Sequence, residues 1–356
     1  MKIIIPFVVN FSAQGGYRVL SQLANNWIEM GHEVDFLVYK DFTKPYFPTR
    51  AKMIRYDGLG NLVETDYKND FKFLGTLQLI WAMEKALDKL SADIVLATQC
   101  FTASPVWKSR INAKKFYYIQ AYEPEFYNEK SLKYLIYKYI AKKSYYYPLQ
   151  KIVNSEMYFD YQEIKANMVV YPGLDFNDFY PKETEFIKKE KYIIGTIGRV
   201  EKIKGTQYIL EAFKILREKY NQQIELHIAF GDDYWMNFDG VKLFRPKNDT
   251  ELGDYYRSLD IYICASTFQL QAIHYPVIES MSSKTILITT GYYPANENNS
   301  YLVKVKDKDA IVNTVEKVIN HANEAELKAK NALKDIKQFD WKTVSKKMIE
   351  YFNNAQ

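Results

Sequence analysis

Asp260-Ile-Tyr-Ile-Cys-Ala265, continued by Ser266-Thr-Phe-Gln-Leu-Gln-Ala-Ile-His-Tyr-Pro-Val-Ile-Glu-Ser-Met-Ser-Ser-Lys284, joins a short apolar run to an amphipathic one, and this junction sets the fold class. The apolar run has the character of a strand buried on both faces of a parallel sheet. Pro276 stands where a helix begins, because its missing N–H is one of the donors that a first turn leaves unbonded anyway. A strand, turn and helix in this order present the positive end of the helix at the carboxyl end of the strand, which suits a phosphate or an oxygen-rich ligand. Glu279, one turn in, has the reach to accept hydroxyl hydrogen bonds from a sugar or ribose. A carboxylate near a helix start also stabilises that helix with no ligand at all.

The same grammar runs through the chain. Strand patterns fall at 2–9, 33–40, 52–57, 93–99, 115–122, 151–155 and 168–172, with helical patterns between most of them. The helix from Gly15 to Met30 places Val19, Leu20, Leu23, Trp27 and Ile28 on one face and stops at Gly31. A charged run at 182–191 reads as a solvated connector, after which strands at 192–197, 224–230, 241–244, 260–265, 285–289 and 301–305 alternate with helices near 206–220, 249–258 and 277–283. Helical patterns fill 309–352. The expectation is two doubly wound α/β domains facing a central cleft: residues 1–175, a linker at 176–191, a second domain at 192–340, and a final helix at 341–356.

A chain of 356 residues exceeds the roughly 250–300 at which one core stops growing, in keeping with two domains. Its 48 basic and 43 acidic residues leave a net charge of +5, too mild to indicate a nucleic-acid partner. Cys100 and Cys264 end apolar strands without metal-ligand or redox spacing, so free buried thiols in a cytoplasmic setting are expected. The opening run Met1–Val9 has one basic residue and an internal Pro, and reads as a core strand rather than a signal peptide. No run approaches the roughly 18 apolar residues of a membrane span.

A second informative segment is Ile193-Ile-Gly-Thr-Ile-Gly-Arg-Val-Glu-Lys-Ile-Lys-Gly205. A strand runs into Gly198, then come Arg199, Lys202 and Lys204, then a Gly that opens a helix. A guanidinium and an ammonium held there form a site for a diphosphate.

Gly198-Arg199, Lys204-Gly205 and Pro276-Val-Ile-Glu-Ser-Met281 resemble the donor-site motifs of retaining GT-B glycosyltransferases, particularly glycosyltransferase family 4. The resemblance extends over nearly the whole chain, through Gln14-Gly15-Gly16 in the first loop, Pro172-Gly173 before the connector, and Trp341 at the start of a helix that in such folds returns to the first domain. It implies that Arg199 and Lys204 bind the donor diphosphate and that Glu279 holds the ribose. Gly15, Gly16, Gly198, Ala272, Ile273, His274, Pro276 and Val277 would line the donor, with the base read near Phe244-Arg245. The family spacing is Glu, seven residues, Glu. Here the first position is Gln271, followed by Ala272-Ile273-His274 in place of a small glycine-rich turn, so the sugar's orientation is the part of the pattern this chain alters.

Ile119-Gln-Ala-Tyr-Glu-Pro-Glu125 resembles a segment of rhamnosyltransferases that build bacterial surface polysaccharides, which makes Gln120, Tyr122 and Glu123 acceptor-side candidates. The implied reaction moves a sugar, with dTDP-rhamnose the first choice of donor, to a hydroxyl of a cell-surface glycan or its lipid-linked precursor. Anomeric configuration is retained, and neither metal nor other cofactor is required. Asp307-Lys-Asp309 has metal-site spacing but precedes a helix, where Asp309 reads as a cap or first-turn residue.

Residues 130–147 carry five lysines interleaved with Leu, Ile and Tyr. Such a helix either lies on an anionic membrane, at the inner face of the cell membrane, or packs its apolar face on the sheet with its lysines outward. A dinucleotide-dependent oxidoreductase is disfavoured, because the first loop lacks the Gly-x-Gly-x-x-Gly turn. A nucleotide-sugar epimerase and a catalytically silent sugar-nucleotide-binding or scaffold protein remain as rival readings.

Overall fold

The computed structural model describes residues 1–12, 15–64, 75–127 and 131–355. The chain divides into two compact units, one formed by residues 1–173 with the chain from Trp341 onward, the other by Leu174–Asp340.

The first unit contains β1 (Lys2–Pro6), α1 (Gly15–Glu29), β2 (Glu33–Tyr39), β3 (Lys52–Tyr56), β4 (Leu62–Val63), α2 (Thr76–Leu87), β5 (Ile94–Ala97), α3 (Cys100–Lys108), β6 (Lys114–Ile119), α4 (Leu132–Ser144), β7 (Gln150–Val153) and β8 (Met168–Val169). Among the described residues these strands make one sheet in the order β4-β3-β2-β1-β5-β6-β7-β8. All neighbours are parallel except β3 and β4, which closes one edge antiparallel. Ile3, Ile4, Phe36, Leu37, Val95 and Leu96 have no exposed surface, as strands covered on both faces require.

The second unit contains β9 (Tyr192–Ile197), α5 (Thr206–Tyr220), β10 (Ile224–Ala229), β11 (Val241–Phe244), α6 (Asp249–Ser258), β12 (Ile261–Cys264), α7 (Tyr275–Ser282), β13 (Ile286–Thr289), β14 (Tyr301–Leu302), α8 (Lys308–Asn320) and α9 (Ala322–Asp335). Its sheet is parallel throughout, in the order β11-β10-β9-β12-β13-β14. The strand order reverses between β9 and β12, and ligands of open α/β sheets bind outside the carboxyl ends of strands at such a reversal. Residues 176–191, read from the sequence as a connector, bring two side chains into this unit: Phe179 and Phe186 are buried. The Phe186 N–H donates to Glu326 (2.8 Å), and the Ser282 hydroxyl donates to the Phe179 carbonyl.

The last helix, α10 (Trp341–Asn354), belongs to the first unit. The Trp27 indole donates to the Ser345 carbonyl (3.2 Å), and Phe352 packs on Phe116 with ring centres 4.6 Å apart. A Cβ on Gly173 would lie 2.3 Å from the Trp341 ring, so only glycine lets that indole pass.

Helix α4 departs from the packing pattern in which its Leu/Ile/Tyr stripe covers the sheet. Leu132, Leu135, Ile136 and Tyr139 face outward, while Ala141 and Ser144 are buried on the opposite side. Tyr137, also on the inner side, meets Phe101 edge-on at 5.0 Å. An i, i+3, i+4 pattern defines a stripe but does not say which stripe is wet, and the inner one here is built of smaller and hydroxylated side chains. Lys130, the first residue of the predicted membrane segment, lies outside the described residues. No helix among the described residues is long and apolar enough to cross a membrane.

Candidate functional site

The reversal point of the second unit is assembled from two loops that lock backbone to backbone. Beyond β9 the chain passes Gly198, Arg199 and a short 3-10 turn at Lys202–Lys204, then Gly205 opens α5. Gly205 has φ +73°, and a Cβ there would lie 1.9 Å from the Ala265 carbonyl oxygen at the end of β12. From the other side, the Thr267 N–H (2.8 Å) and the Ser266 hydroxyl (3.0 Å) both donate to the Ile203 carbonyl. The Arg199 N–H donates to the Thr206 hydroxyl at 3.1 Å. A side chain on Gly198 would strike the Gly231 backbone at 2.5 Å, so the loops after β9 and β10 also run in contact.

This lock presents two cations. Arg199 is exposed and Lys204 half-buried, and neither side chain has a hydrogen bond or ion pair to any described residue. Facing them is His274, the N-cap residue of α7, half-buried and stacked on Tyr292 (4.7 Å between ring centres), with Nδ1 3.5 Å from the Cys264 sulfur. Burial, then the charges of Lys204 and Arg199, push the His274 imidazole down to about 3. It is therefore neutral at physiological pH. Protonation would place a third cation among two that already lack counter-ions.

Because the folded value lies below the ordinary 6.5, the unfolded chain takes up this proton first as pH falls. Its contribution to stability is complete above about 6.5 and is lost as pH falls from there towards 3. We expect the His274 imidazole to show no NMR titration between pH 5 and 8, and His274→Asn to lose less stability than the parent between neutral pH and pH 5, measured by urea unfolding. A His274 midpoint near 6.5 would contradict this.

Gln271 is exposed with φ +70°, its N–H donating to the Gly291 carbonyl at 2.8 Å. Ala272 and Ile273 follow, and Ile273 bridges to Tyr293. The start of α7 offers fewer open donors than its sequence implies: Pro276 has no N–H, and those of Val277 and Ile278 both go to the His274 carbonyl. The Val277 side chain is wholly buried. Glu279 is only 3% exposed, and its Oε2 accepts from the Tyr256 hydroxyl of α6 at 2.9 Å. Arg245 pairs with Asp233 (2.7 Å) at the surface beyond β11. Among the described residues no group of three or more His, Cys, Asp or Glu could hold a metal ion. Asp307 caps α8 through the Ala310 N–H, and Asp309 lies in its first turn.

In the first unit, a Cβ on Gly16 would meet the Gln120 amide at 3.4 Å, which places Gln120 over the start of α1, one residue beyond Gly15. Tyr122 donates a 2.5 Å hydrogen bond to Glu163. Glu123 is engaged elsewhere. Both of its oxygens accept from the Cys100 N–H at the start of α3 (2.9 and 3.1 Å), and one accepts from Tyr117. Burial raises its carboxyl above the ordinary range, against the lowering effect of those donors. Glu123 thus anchors α3. Sequence reading missed Thr98 and Gln99, beyond β5: Thr98 Oγ1 and Gln99 Oε1 are buried without partners among the described residues. Their sequence signal is slight, a pair of polar residues ending an apolar strand next to β1.

Residues 191–321, just over a third of the chain, match the family described as Glycosyl transferases group 1. Full-length similarity appears in solved structures. Sucrose-phosphate synthase from Thermosynechococcus elongatus is 16% identical, with 99% of this chain and 98% of that one covered and a TM-score of 0.73. HepE of Anabaena, in complex with UDP and glucose, is 16% identical over 99% of this chain and 100% of its own, with a TM-score of 0.71. WaaG, a glycosyltransferase involved in lipopolysaccharide biosynthesis, is 13% identical over 99% and 100% of the two chains, with a TM-score of 0.70. No curated protein sequence matches the chain. The architecture is the two-domain α/β GT-B fold.

Proposed function

We propose that the chain is a glycosyltransferase that takes a sugar from a nucleotide-diphosphate donor and transfers it to an acceptor hydroxyl. The observation that carries this reading is the pair Arg199 and Lys204, partnerless among the described residues, at the carboxyl end of β9 before α5. The match of residues 191–321 to Glycosyl transferases group 1 supports it, and UDP in the HepE structure makes a pyrimidine nucleotide a reasonable donor class.

In the proposed reaction the bond between the anomeric carbon and the β-phosphate oxygen breaks while the acceptor oxygen bonds to that carbon on the same face. The acceptor proton passes to the departing phosphate oxygen. Charge grows on the diphosphate, and Arg199 and Lys204 stabilise it more in the transition state than in the ground state. Their two charges supply what a metal ion would otherwise provide, so transfer is proposed to be metal-independent. Glu279 is assigned the ribose, Gln271 to His274 the sugar, and Gln120 with Thr98 and Gln99 the acceptor. The finer assignment is rhamnose from dTDP-rhamnose to a bacterial surface glycan or its lipid-linked precursor.

A thermal-shift screen of dTDP, UDP, GDP and ADP tests the reading. At a concentration near 100 Kd the bound nucleotide should add about 2.7 kcal/mol, or roughly 5–10 °C in Tm for units of this size. The expected order is dTDP or UDP first. No shift with any nucleotide overturns the proposal, a product anomer opposite to the donor's overturns retention, and activity abolished by EDTA overturns metal independence.

A further inference from the structure

We infer that the first unit docks on an anionic lipid surface through a face built from α4 and the start of α2. Leu132, Leu135, Ile136 and Tyr139 are 75, 63, 44 and 64% exposed, and their spacing of i, i+3, i+4 and i+7 makes them one continuous stripe. The stripe lies opposite the residues that hold α4 to its unit. One of these, Tyr137, exchanges a 3.0 Å hydrogen bond with Thr76 in the first turn of α2. The helix so tied to α4 carries an exposed pair of its own: Leu77, next to Thr76, and Trp81 one turn on, 66 and 46% exposed.

Scattered apolar side chains on a surface need no explanation, but a stripe of this length joined to a second helix does. The charges identify its occupant. Lys133 lies on one flank of the stripe, Lys138 and Lys142 on the other, and Lys143 at its end, while α4 contains no acidic residue. The Lys143 ammonium sits 5.8 Å from the centre of the Tyr139 ring, within cation–π reach of the stripe's last member. A protein partner would have to supply acids on both flanks of an apolar ridge. A bilayer rich in anionic headgroups offers negative charge on every side and an acyl boundary beneath. A short helix with Leu and Ile at its centre, Tyr beside them and lysines flanking is chemistry that lies in the interface plane rather than crossing it.

The test is co-sedimentation of the full chain, without nucleotide, with phosphatidylcholine vesicles containing or lacking phosphatidylglycerol. Binding should require phosphatidylglycerol and weaken with salt. Leu135→Glu with Ile136→Glu should abolish it, and Lys142→Gln with Lys143→Gln should weaken it by about thirtyfold. Far-UV circular dichroism and thermal melting confirm that each variant folds. Nucleotide thermal shifts, which report on the second unit, should be the same in the variants as in the parent, so failure here is separable from failure of the transferase reading. Folded chain that ignores phosphatidylglycerol overturns the inference. So does a dimer in sedimentation velocity that Leu135→Glu dissociates, since a second copy would then be what covers the stripe.

Discussion

Replacing Arg199 and Lys204 together with alanine is expected to lower kcat/KM for sugar transfer by at least about a thousandfold, given that one preorganised stabiliser of developing charge contributes about 10²–10³. Each single variant should lose about 10–100-fold in nucleotide-diphosphate affinity, the worth of a charge-assisted hydrogen bond or two. Folding should be unharmed, because neither side chain has a partner among the described residues to lose. A second readout needs no catalysis. The charges of Lys204 and Arg199 help hold the His274 imidazole near 3, so the double variant should raise it, and a bound diphosphate should raise it in the parent by neutralising the same charges. Unchanged nucleotide affinity in both single variants would move the site elsewhere.

The second large effect concerns Gly205. Valine there must adopt φ +73° and also place its Cβ where the Ala265 carbonyl oxygen stands 1.9 Å away. The left-handed backbone and the overpacking together cost about 3 kcal/mol or more, a fall in Tm of roughly 6–12 °C for a unit of this size. Because the two loops are bonded at Ile203, any relaxation displaces Lys204, so the folded fraction should also bind nucleotide more weakly. Gly31→Ala is the control: it has φ +86° but nothing within 4 Å of the added atom, so it bears the backbone term alone. Equal effects at both positions would mean that the contact with Ala265 yields easily.

Four elements of the second unit were legible residue by residue, although the unit begins at Leu174 and takes in the stretch read as a connector. Tyr192–Ile197, Thr206–Tyr220, Val241–Phe244 and Asp249–Ser258 stand where periodicity puts them, because each is a clean apolar pattern closed by turn chemistry. Helix α3 was harder to see, since Pro105 in its interior reads as a breaker; the Glu123 carboxylate that holds its first N–H comes 23 residues after Cys100. The same distance effect explains the roles. Local sequence shows a carboxylate at 123 and another at 279, but whether each waits for a ligand depends on donors from remote elements, Cys100 and Tyr117 for one and Tyr256 for the other. The inversion of α4 belongs here too, because a helical stripe carries no mark of which side meets water.

One junction has a use of its own. The Leu174 N–H donates to the Phe339 carbonyl, and Leu174 bridges to Asp340, so the first and last residues of the second unit lie side by side. The unit is thus an uninterrupted stretch whose ends are already tied together, inserted within the chain that forms the first unit. Such a module lends itself to excision as a free-standing protein, or to circular permutation with new termini in a surface loop, without parting any pair of neighbouring strands. Nucleotide recognition and membrane docking, as proposed, would then reside in separable pieces of one polypeptide.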